Sequence, residues 1–481
     1  MSRNVLSWKK QGAMQSEVAL TYNSSGVDID ENQKANRLIA EIVGKTLSKG
    51  VISQPGFFSG AIRLESLLRG NQNHLVCDSL SDPSFESFDL DESVDWFACL
   101  DYFAATPLES NSVLDYVKQL ANFCIKRKIA ILGGETAEMP GVIRRESQEA
   151  VAHFFGLGGA QNSDIRTLDR GFIYRGDSVD LAELNSKYPE SCLVMSSDGV
   201  GTKTVLASEL NQLDSIIGDI LGHSQGDIAC LGAFGIGVNL YLGLSNKNLI
   251  SKPNDLIQRA MNICTSYGLK LLELRAEFKP EIYESGQIDL CGTIVGLVNE
   301  SSALTGNGVK ASQLCIGLPS NGLHTNGFSL VRRILESRDL TNKSELYKKL
   351  LIPHRNYGPY VKKLLQNFSE SVSAIAHITG GGLPENLVRI LPEGLEANLH
   401  WGSWKVPEIF NQLQSMGNVP LSDPENKGML ETFNMGIGMV ITVDSSQSKS
   451  IQSFSESILQ NECPIIGVIQ NGDQGVKFNG L

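Results

Sequence analysis

A small set of residues repeats along this chain at one fixed spacing. Asp115, Asn122, Cys124, Leu132 and Pro140 return as Asp255, Asn262, Cys264, Leu272 and Pro280, each 140 residues on. Gly156-Leu157 returns at the same distance as Gly296-Leu297. The first repeats fall in a stretch where Val113, Leu114, Val117, Leu120 and Phe123 keep helical spacing. Leu132 closes the apolar run Ile129-Ala130-Ile131-Leu132, which reads as a strand. One offset held across helix and strand predicts an internal duplication of an α/β unit. With 481 residues, the length also suggests about three domains. The texture changes near residue 304. The expected division is therefore a polar, flexible lead at 1–21, related units at 22–168 and 169–304, and a third unit at 305–481.

Composition narrows the class. Hydrophobic residues make up 41% and charged residues 20%, enough to bury real cores in a soluble protein. The net charge of −12 argues against nucleic acid, whose phosphates ask for a basic footprint. Nine cysteines without a C-x-x-C pair fit reduced thiols and a cytoplasmic location. The first residues lack a signal-peptide core. The longest apolar run, from Cys230 to Leu244, is broken by glycines and Asn239 and reads as a buried strand, so no membrane is expected.

The two units keep different motifs. The second begins with the apolar run Cys192-Leu193-Val194-Met195 and then Ser196-Ser197-Asp198-Gly199-Val200-Gly201-Thr202-Lys203. Glycines at alternate positions let backbone N–H groups close on a phosphate. Asp198 offers oxygen to Mg²⁺, and Lys203 offers phosphate a point charge. An ordinary Asp-Gly turn with a solvated lysine is the plainer alternative. Gly218-Asp219-Ile220-Leu221-Gly222-His223-Ser224-Gln225-Gly226-Asp227 follows. The first unit keeps Gly133-Gly134-Glu135-Thr136-Ala137-Glu138-Met139-Pro140-Gly141, two glycines and two acids read as a turn after a strand. Where the second has its Asp-Gly-Val-Gly octet, the first has Asp78-Ser79-Leu80 and a stretch to Asp95 read as loop. Beyond residue 304, His324-Thr325-Asn326-Gly327 and His377-Ile378-Thr379-Gly380-Gly381-Gly382 place histidines beside glycine turns, and the triple glycine makes an anion nest. His354, alone in its surroundings, reads as structural.

Together with Gly26-Val27-Asp28-Ile29-Asp30 and the stretch from Thr432 to Met439, these motifs resemble phosphoribosylformylglycinamidine cyclo-ligase, the AIR synthetase family, over nearly the whole chain. The resemblance implies a mixed α/β, AIR-synthetase-like fold. Two N-terminal-type domains would form a pseudo-dimeric β-barrel, with one C-terminal α/β domain behind. It implies ATP and Mg²⁺, and closure of formylglycinamidine ribonucleotide to aminoimidazole ribonucleotide in purine biosynthesis. On that reading Asp198, Asp227 and Glu135 are the metal-side acids. Gly199, Gly201, Thr202, Lys203, Gly133, Gly134, Gly380, Gly381 and Gly382 hold ATP phosphates, and Lys203, His324 and His377 are catalytic. The implied partners are small molecules within an internal pseudo-dimer, with further homo-oligomers left open.

The family usually has Asn-Asp where this chain has Gly226-Asp227, and one N-terminal domain per chain where two are expected here. Two alternatives stay open. One is an inactive nucleotide-binding paralogue that acts as an interaction protein. The other is a different ATP-using member of the superfamily.

Overall fold

The structure is a computed structural model that describes residues 20–21, 38–48, 50–53, 57–68, 72–81, 85, 90–250, 252–337 and 343–481. The Gly26-to-Asp30 motif and nearly all of the expected lead lie outside these residues. The first strands are β1 (Gly60–Arg63), β2 (His74–Leu80), β3 (Asp95–Thr106), β4 (Ala130–Glu138) and β5 (Ser147–Gly158). Next come the hairpin β6 (Asp164–Leu168) and β7 (Gly171–Arg175), then the short β8 (Val179–Asp180). After them run β9 (Ser191–Gly199), β10 (Phe234–Leu244), β11 (Lys270–Phe278) and β12 (Ile288–Asn299).

These strands build two mixed sheets, ordered β4-β3-β5-β2-β8 and β1-β9-β12-β10-β11-β7-β6. Within them, β4-β3-β5-β2 and β11-β10-β12-β9 share one order and one set of directions. β3 runs parallel to β4 and antiparallel to β5, as β10 does to β11 and β12. The helix Ser110–Arg127 joins β3 to β4, and Pro253–Ser266 joins β10 to β11. The first ends at Lys128 in the left-handed region, with Lys126 and Arg127 complementing its C-terminal dipole. The second starts with proline at its first turn, where the missing N–H costs nothing. The sheets interleave around residue 168: β1 and β6 pair into the second sheet, β8 into the first, and residues 168/169 fall in the β6–β7 turn.

The expected β-barrel is not formed. Both sheets are open, and among the described residues no ladder between named strands joins one to the other. They meet mainly through side chains, with β4 against β9 and β2 against β11. Beside that contact the backbone makes a reciprocal clasp. Ile143 bridges Tyr283, Arg144 N–H donates to Ile282 O at 2.8 Å, and Glu284 N–H donates to Val142 O at 2.8 Å. Each bond is the other moved by 140 residues, the self-complementary pattern of a two-fold contact.

The rest of the chain forms a third sheet, ordered β14 (Val372–His377), β16 (Ile437–Val443), β13 (Leu314–Pro319), β17 (Ile465–Asn471), β15 (Leu395–His400) and β18 (Gly475–Asn479). Between it and the second sheet lies the helix Leu213–Ala229, buried at every position but Asp214. Its buried polar residues Asp219, His223 and Asp227 each find a polar partner, as an interior requires. Glycine costs a helix about 1 kcal/mol against alanine, and this helix carries three, at Gly218, Gly222 and Gly226. They form a stripe against the third unit. A Cβ at Gly222 would stand 2.4 Å from the His354 carbonyl oxygen, and one at Gly226 would stand 2.5 Å from His377 Cε1. No helix among the described residues is long and apolar enough to cross a membrane, and all nine cysteines are unpaired and buried.

Tyr102, Tyr241, Tyr283, Ile143, Val151 and Cys291 form a buried core between the first two sheets. Glu149 and Asp289, again 140 residues apart, face into it. Tyr102 donates to both Asp289 oxygens at 3.2 Å, while Glu149 accepts from Lys279 at 2.6 Å and Tyr283 at 3.1 Å. Burial pushes both carboxyls up to about 7. A carboxyl raised by folding keeps its proton to higher pH than in the unfolded chain, so stability falls as pH climbs from about 4 through 7. Asp289→Asn removes one such group. In denaturant melts, its stability relative to wild type should rise by about 2–3 kcal/mol between about pH 5 and about pH 8. A difference that does not change with pH would contradict this assignment.

Candidate functional site

A cavity of about 510 Å³ lies where the two N-terminal sheets meet the third unit. Its first wall comes from β4, with Gly133, Gly134 and Glu135; its second comes from Asp198 on β9 and from His223 and Asp227 on the central helix. The third unit adds Asn326, Gly380 and Arg389. Ile39, Val43, Leu47 and Leu120 give it an apolar flank. Three separate parts of the chain thus share one cavity.

The Gly133-to-Pro140 stretch was expected to turn, but β4 runs straight through it to Glu138. Gly133 pairs with Leu100, Gly134 with Asp101 and Glu135 with Tyr102 in a parallel ladder. Gly134 serves close approach: a Cβ there would stand 1.9 Å from Asp101 Oδ1. Burial pushes the Asp101 carboxyl up to about 7. The expected loop after Cys77 likewise begins as strand, because β2 continues to Leu80.

Asp198, near the end of β9, accepts a 2.6 Å bond from the N–H of Gly199 and places Oδ2 3.0 Å from His223 Nε2. His223 and Asp227, four residues apart, share one helix face. His223 Nε2 is 3.6 Å from Asp227 Oδ2. His377, the last residue of β14, puts Nδ1 2.8 Å from Asp227 Oδ1 and Nε2 3.0 Å from His354 Nε2. His324 stacks on His354 with ring centroids 3.8 Å apart. Burial alone would lower the His223 pKa, but the Asp198 and Asp227 carboxylates outweigh it and lift it to about 9. Burial opposes ionisation of Asp227 as well, yet His223 and His377 hold it below its usual range. Burial, then the adjacent Asp198 charge, pushes Glu135 well up. Burial also keeps His324, His354 and His377 below the ordinary histidine value.

The Asp-Gly-Val-Gly octet divides. Asp198 reaches the cavity; Lys203 does not. The Lys203 ammonium is fully enclosed and donates to Asp219 Oδ1 at 2.8 Å, His324 O at 2.9 Å and Ile352 O at 3.0 Å. All three of its donors are used, so it does not face a phosphate. Gly199 packs on Tyr102, whose Cε2 would stand 2.6 Å from an added Cβ. Thr202 is buried with its hydroxyl 3.1 Å from Ser329 Oγ, and Gly201 takes a positive φ of 72° at the entry to the helix Lys203–Glu209. Gly380 lines the cavity, while Gly381 and Gly382, both at positive φ, start the helix Gly382–Val388. His377 is set behind Asp227, and His324, 2% exposed with neither ring nitrogen hydrogen-bonded, stands behind His354.

The counterpart position across the two sheets is built differently. One offset on from Gly133, Glu135 and Ala137 stand Glu273, Arg275 and Glu277. The ladders match Cys77–Phe155 with Met195–Val295, so Leu80 corresponds to Asp198. Arg275 donates to Ser79 O at 2.6 Å and to Glu277 Oε1 at 2.6 Å, and Arg175 pairs with Asp78 at 3.0 Å. Ser79 donates to Glu273 and Ser81 to Glu277. The chain's own ion pairs cross this position.

Sequence reasoning missed His223, His354 and Arg389. His223 carried a usable signal, its i, i+4 relation to Asp227. His354 carried none, since its neighbours come from 23 to 135 residues away.

Lys203→Met would leave the buried Asp219 carboxylate without its cation, held only by the His354 N–H, and would take a donor from the His324 and Ile352 carbonyls. Removing one member of a buried pair costs about 3–5 kcal/mol. The variant should therefore melt well below wild type. A Lys203→Met protein with unchanged melting and abolished nucleotide binding would contradict the structural role.

Residues 180–298 match the family model described as AIR synthase related protein, N-terminal domain, and residues 310–478 match the C-terminal domain model. The chain is 36% identical over 304 residues to a phosphoribosylformylglycinamidine cyclo-ligase of Brevibacillus brevis, covering 61% of this chain and 85% of that protein. It is 36% identical over 298 residues to a protein of the same name from Desulfitobacterium hafniense, with coverage of 61% and 85%. Among solved structures, E. coli HypE, a hydrogenase maturation protein, aligns with a TM-score of 0.45 at 13% identity, over 63% of this chain and 86% of that one. The chain belongs to the AIR synthase related family, alongside the phosphoribosylformylglycinamidine cyclo-ligases.

Proposed function

We propose that this chain is an ATP-dependent ligase that closes formylglycinamidine ribonucleotide to aminoimidazole ribonucleotide, releasing ADP and phosphate. One observation carries the reading: the glycine–acid stretch of the first unit and the Asp198–Asp227 pair of the second line one cavity with Gly380 of the third. The motifs that sequence distributes over two decayed copies are complementary in space. We take 22–168 and 169–304 as the two copies of a duplicated N-terminal domain, acting as an internal pseudo-dimer, and 305–481 as the C-terminal domain. The counterpart position, crossed by Arg275 and Arg175, is the one that lost its site.

The donor chemistry fits Mg²⁺ carried in with ATP. Glu135 and Asp198 are adjacent acids at the cavity wall, and the Asp198 charge adds to burial in raising the Glu135 pKa. An oxygen-seeking cation relieves that conflict. When bound, Mg²⁺ supplies charge neutralisation for the phosphoryl oxygens. Arg389, held 5.0 Å over the Phe58 ring, is the cation the cavity offers to phosphate, in the place that Lys203 does not fill. Gly133, Gly134 and Gly380 let backbone approach the nucleotide, and the apolar flank suits its base.

In the reaction, the formyl oxygen takes the γ-phosphoryl group and ADP leaves. The amidine nitrogen then bonds to that carbon, and the C–O bond breaks to release phosphate. A proton leaves the nitrogen as the ring closes, and the departing phosphate is the acceptor that the step itself supplies. His377 acts through Asp227 as a positioning group, and His324 packs behind it.

The test is product balance. Purified protein with ATP, Mg²⁺ and formylglycinamidine ribonucleotide should yield ADP and aminoimidazole ribonucleotide in equal amounts. ATP hydrolysis indifferent to this substrate, or no turnover by a folded protein, would overturn the proposal.

A further inference from the structure

At the cavity wall and directly behind it, His223 and His377 bring nitrogen donors that an all-oxygen Mg²⁺ site does not call for. His223, Asp227 and His377 are all buried, and their ligand atoms lie within 4.8 Å of one another. We propose that these three side chains, with Asp198 beside them, form a second metal site that takes one borderline divalent ion of the Mn²⁺-to-Zn²⁺ series. The proposal rests on this geometry and stands whether or not the cyclisation reading does.

The donor set comes first. Mg²⁺ prefers six oxygens in near-ideal octahedral geometry, whereas imidazole with carboxylate suits manganese, iron, cobalt and zinc. The spacing agrees. Metal–nitrogen bonds of about 2.0–2.1 Å at tetrahedral angles put neighbouring donor atoms about 3.3–3.4 Å apart. Here His223 Nε2 is 3.6 Å from Asp227 Oδ2 and 3.0 Å from Asp198 Oδ2, and His377 Nδ1 is 2.8 Å from Asp227 Oδ1. Small rotations of these side chains separate or close them to that range.

The outer partners make the stronger case. Metal-bound histidines have the second ring nitrogen held, which fixes tautomer and ring plane. His223 Nδ1 lies 2.7 Å from Thr325 Oγ1, and His377 Nε2 lies 3.0 Å from His354 Nε2. Asp227 Oδ2 accepts from Ser196 Oγ at 3.2 Å. Both imidazoles are therefore held through their second ring nitrogen, and the Asp227 carboxylate is held by Ser196.

The backbone makes room for it. His223 and Asp227 project from one face of a buried helix, and His377 ends a strand, so the ligands stand on rigid elements. Gly226 is required beside them: a Cβ there would lie 2.5 to 2.8 Å from three atoms of the His377 ring. Gly226 and the imidazole of His377 thus belong to one arrangement.

The experiment uses the full chain, stripped of metal with a chelator and titrated with CoCl₂ in excess Mg²⁺ without nucleotide. Visible ligand-field bands should grow to a plateau at one Co²⁺ per chain and disappear on adding one equivalent of Zn²⁺. X-ray absorption of the zinc-loaded protein should show two imidazole ligands. His223→Gln and His377→Gln should each abolish the bands, and Thr325→Val, which keeps all ligands, should weaken cobalt binding about 10–100-fold. A folded wild-type protein that leaves cobalt with its aqua spectrum would overturn the proposal. So would zinc without imidazole ligands, or binding unchanged in both histidine variants. The wild-type spectra decide the question even if the variants do not fold. Cobalt binding without cyclisation would leave this site standing and remove the ligase reading; the reverse outcome would do the opposite.

Discussion

The contact between the Leu213–Ala229 helix and the third unit sets everything around it. Three glycines at four-residue intervals remove side chains from one face, and the backbone at His354 and the ring of His377 settle into the space. That approach puts His377 on Asp227 and His354 on His377. Beside that contact, where Asp219 also accepts from the His354 N–H, Lys203 fastens the helix to the third unit by bonding Asp219, His324 O and Ile352 O. A fully buried ammonium is stable only with such a complete set of acceptors. The cavity floor is therefore a consequence of close helix packing locked by one buried cation.

The two N-terminal sheets build two corresponding positions that are filled differently among the described residues. They share strand order and join through the reciprocal Arg144–Ile282 and Glu284–Val142 bonds. A symmetric pair offers two equivalent positions, each using β4 or β11 from one half and β9 or β2 from the other. At the first, Glu135 and Asp198 face an open space. At the second, Arg275, Glu273 and Glu277 close on Ser79, Ser81 and Asp78. Carboxylates facing a void invite a cation; interlocked ion pairs fill it. On the proposed duplication, halves joined in one chain are free to diverge in this way, because neither must serve both positions.

Much of this was legible in the sequence where the signal was local or periodic. The 140-residue offset found both crossover helices, and the apolar runs found β4, β9 and β10. Signals that depend on distant partners were misread. Gly133 and Gly134 looked like a turn, but Gly134 answers to Asp101, across a strand pair and a helix. Lys203 looked like a phosphate ligand because glycines surround it, yet its acceptors lie 16, 121 and 149 residues away. His354 has no local mark at all. Asp198 and Asp227, singled out from acids beside glycines, do stand in the lining of one cavity.

The central claim is that one chain carries one nucleotide site, assembled from both N-terminal halves and the third unit. Calorimetric titration of the wild-type chain with a non-hydrolysable ATP analogue in Mg²⁺ tests it most directly. The account predicts a stoichiometry of one nucleotide per chain. Two nucleotides per chain would mean that the position crossed by Arg275 also opens, and would contradict it.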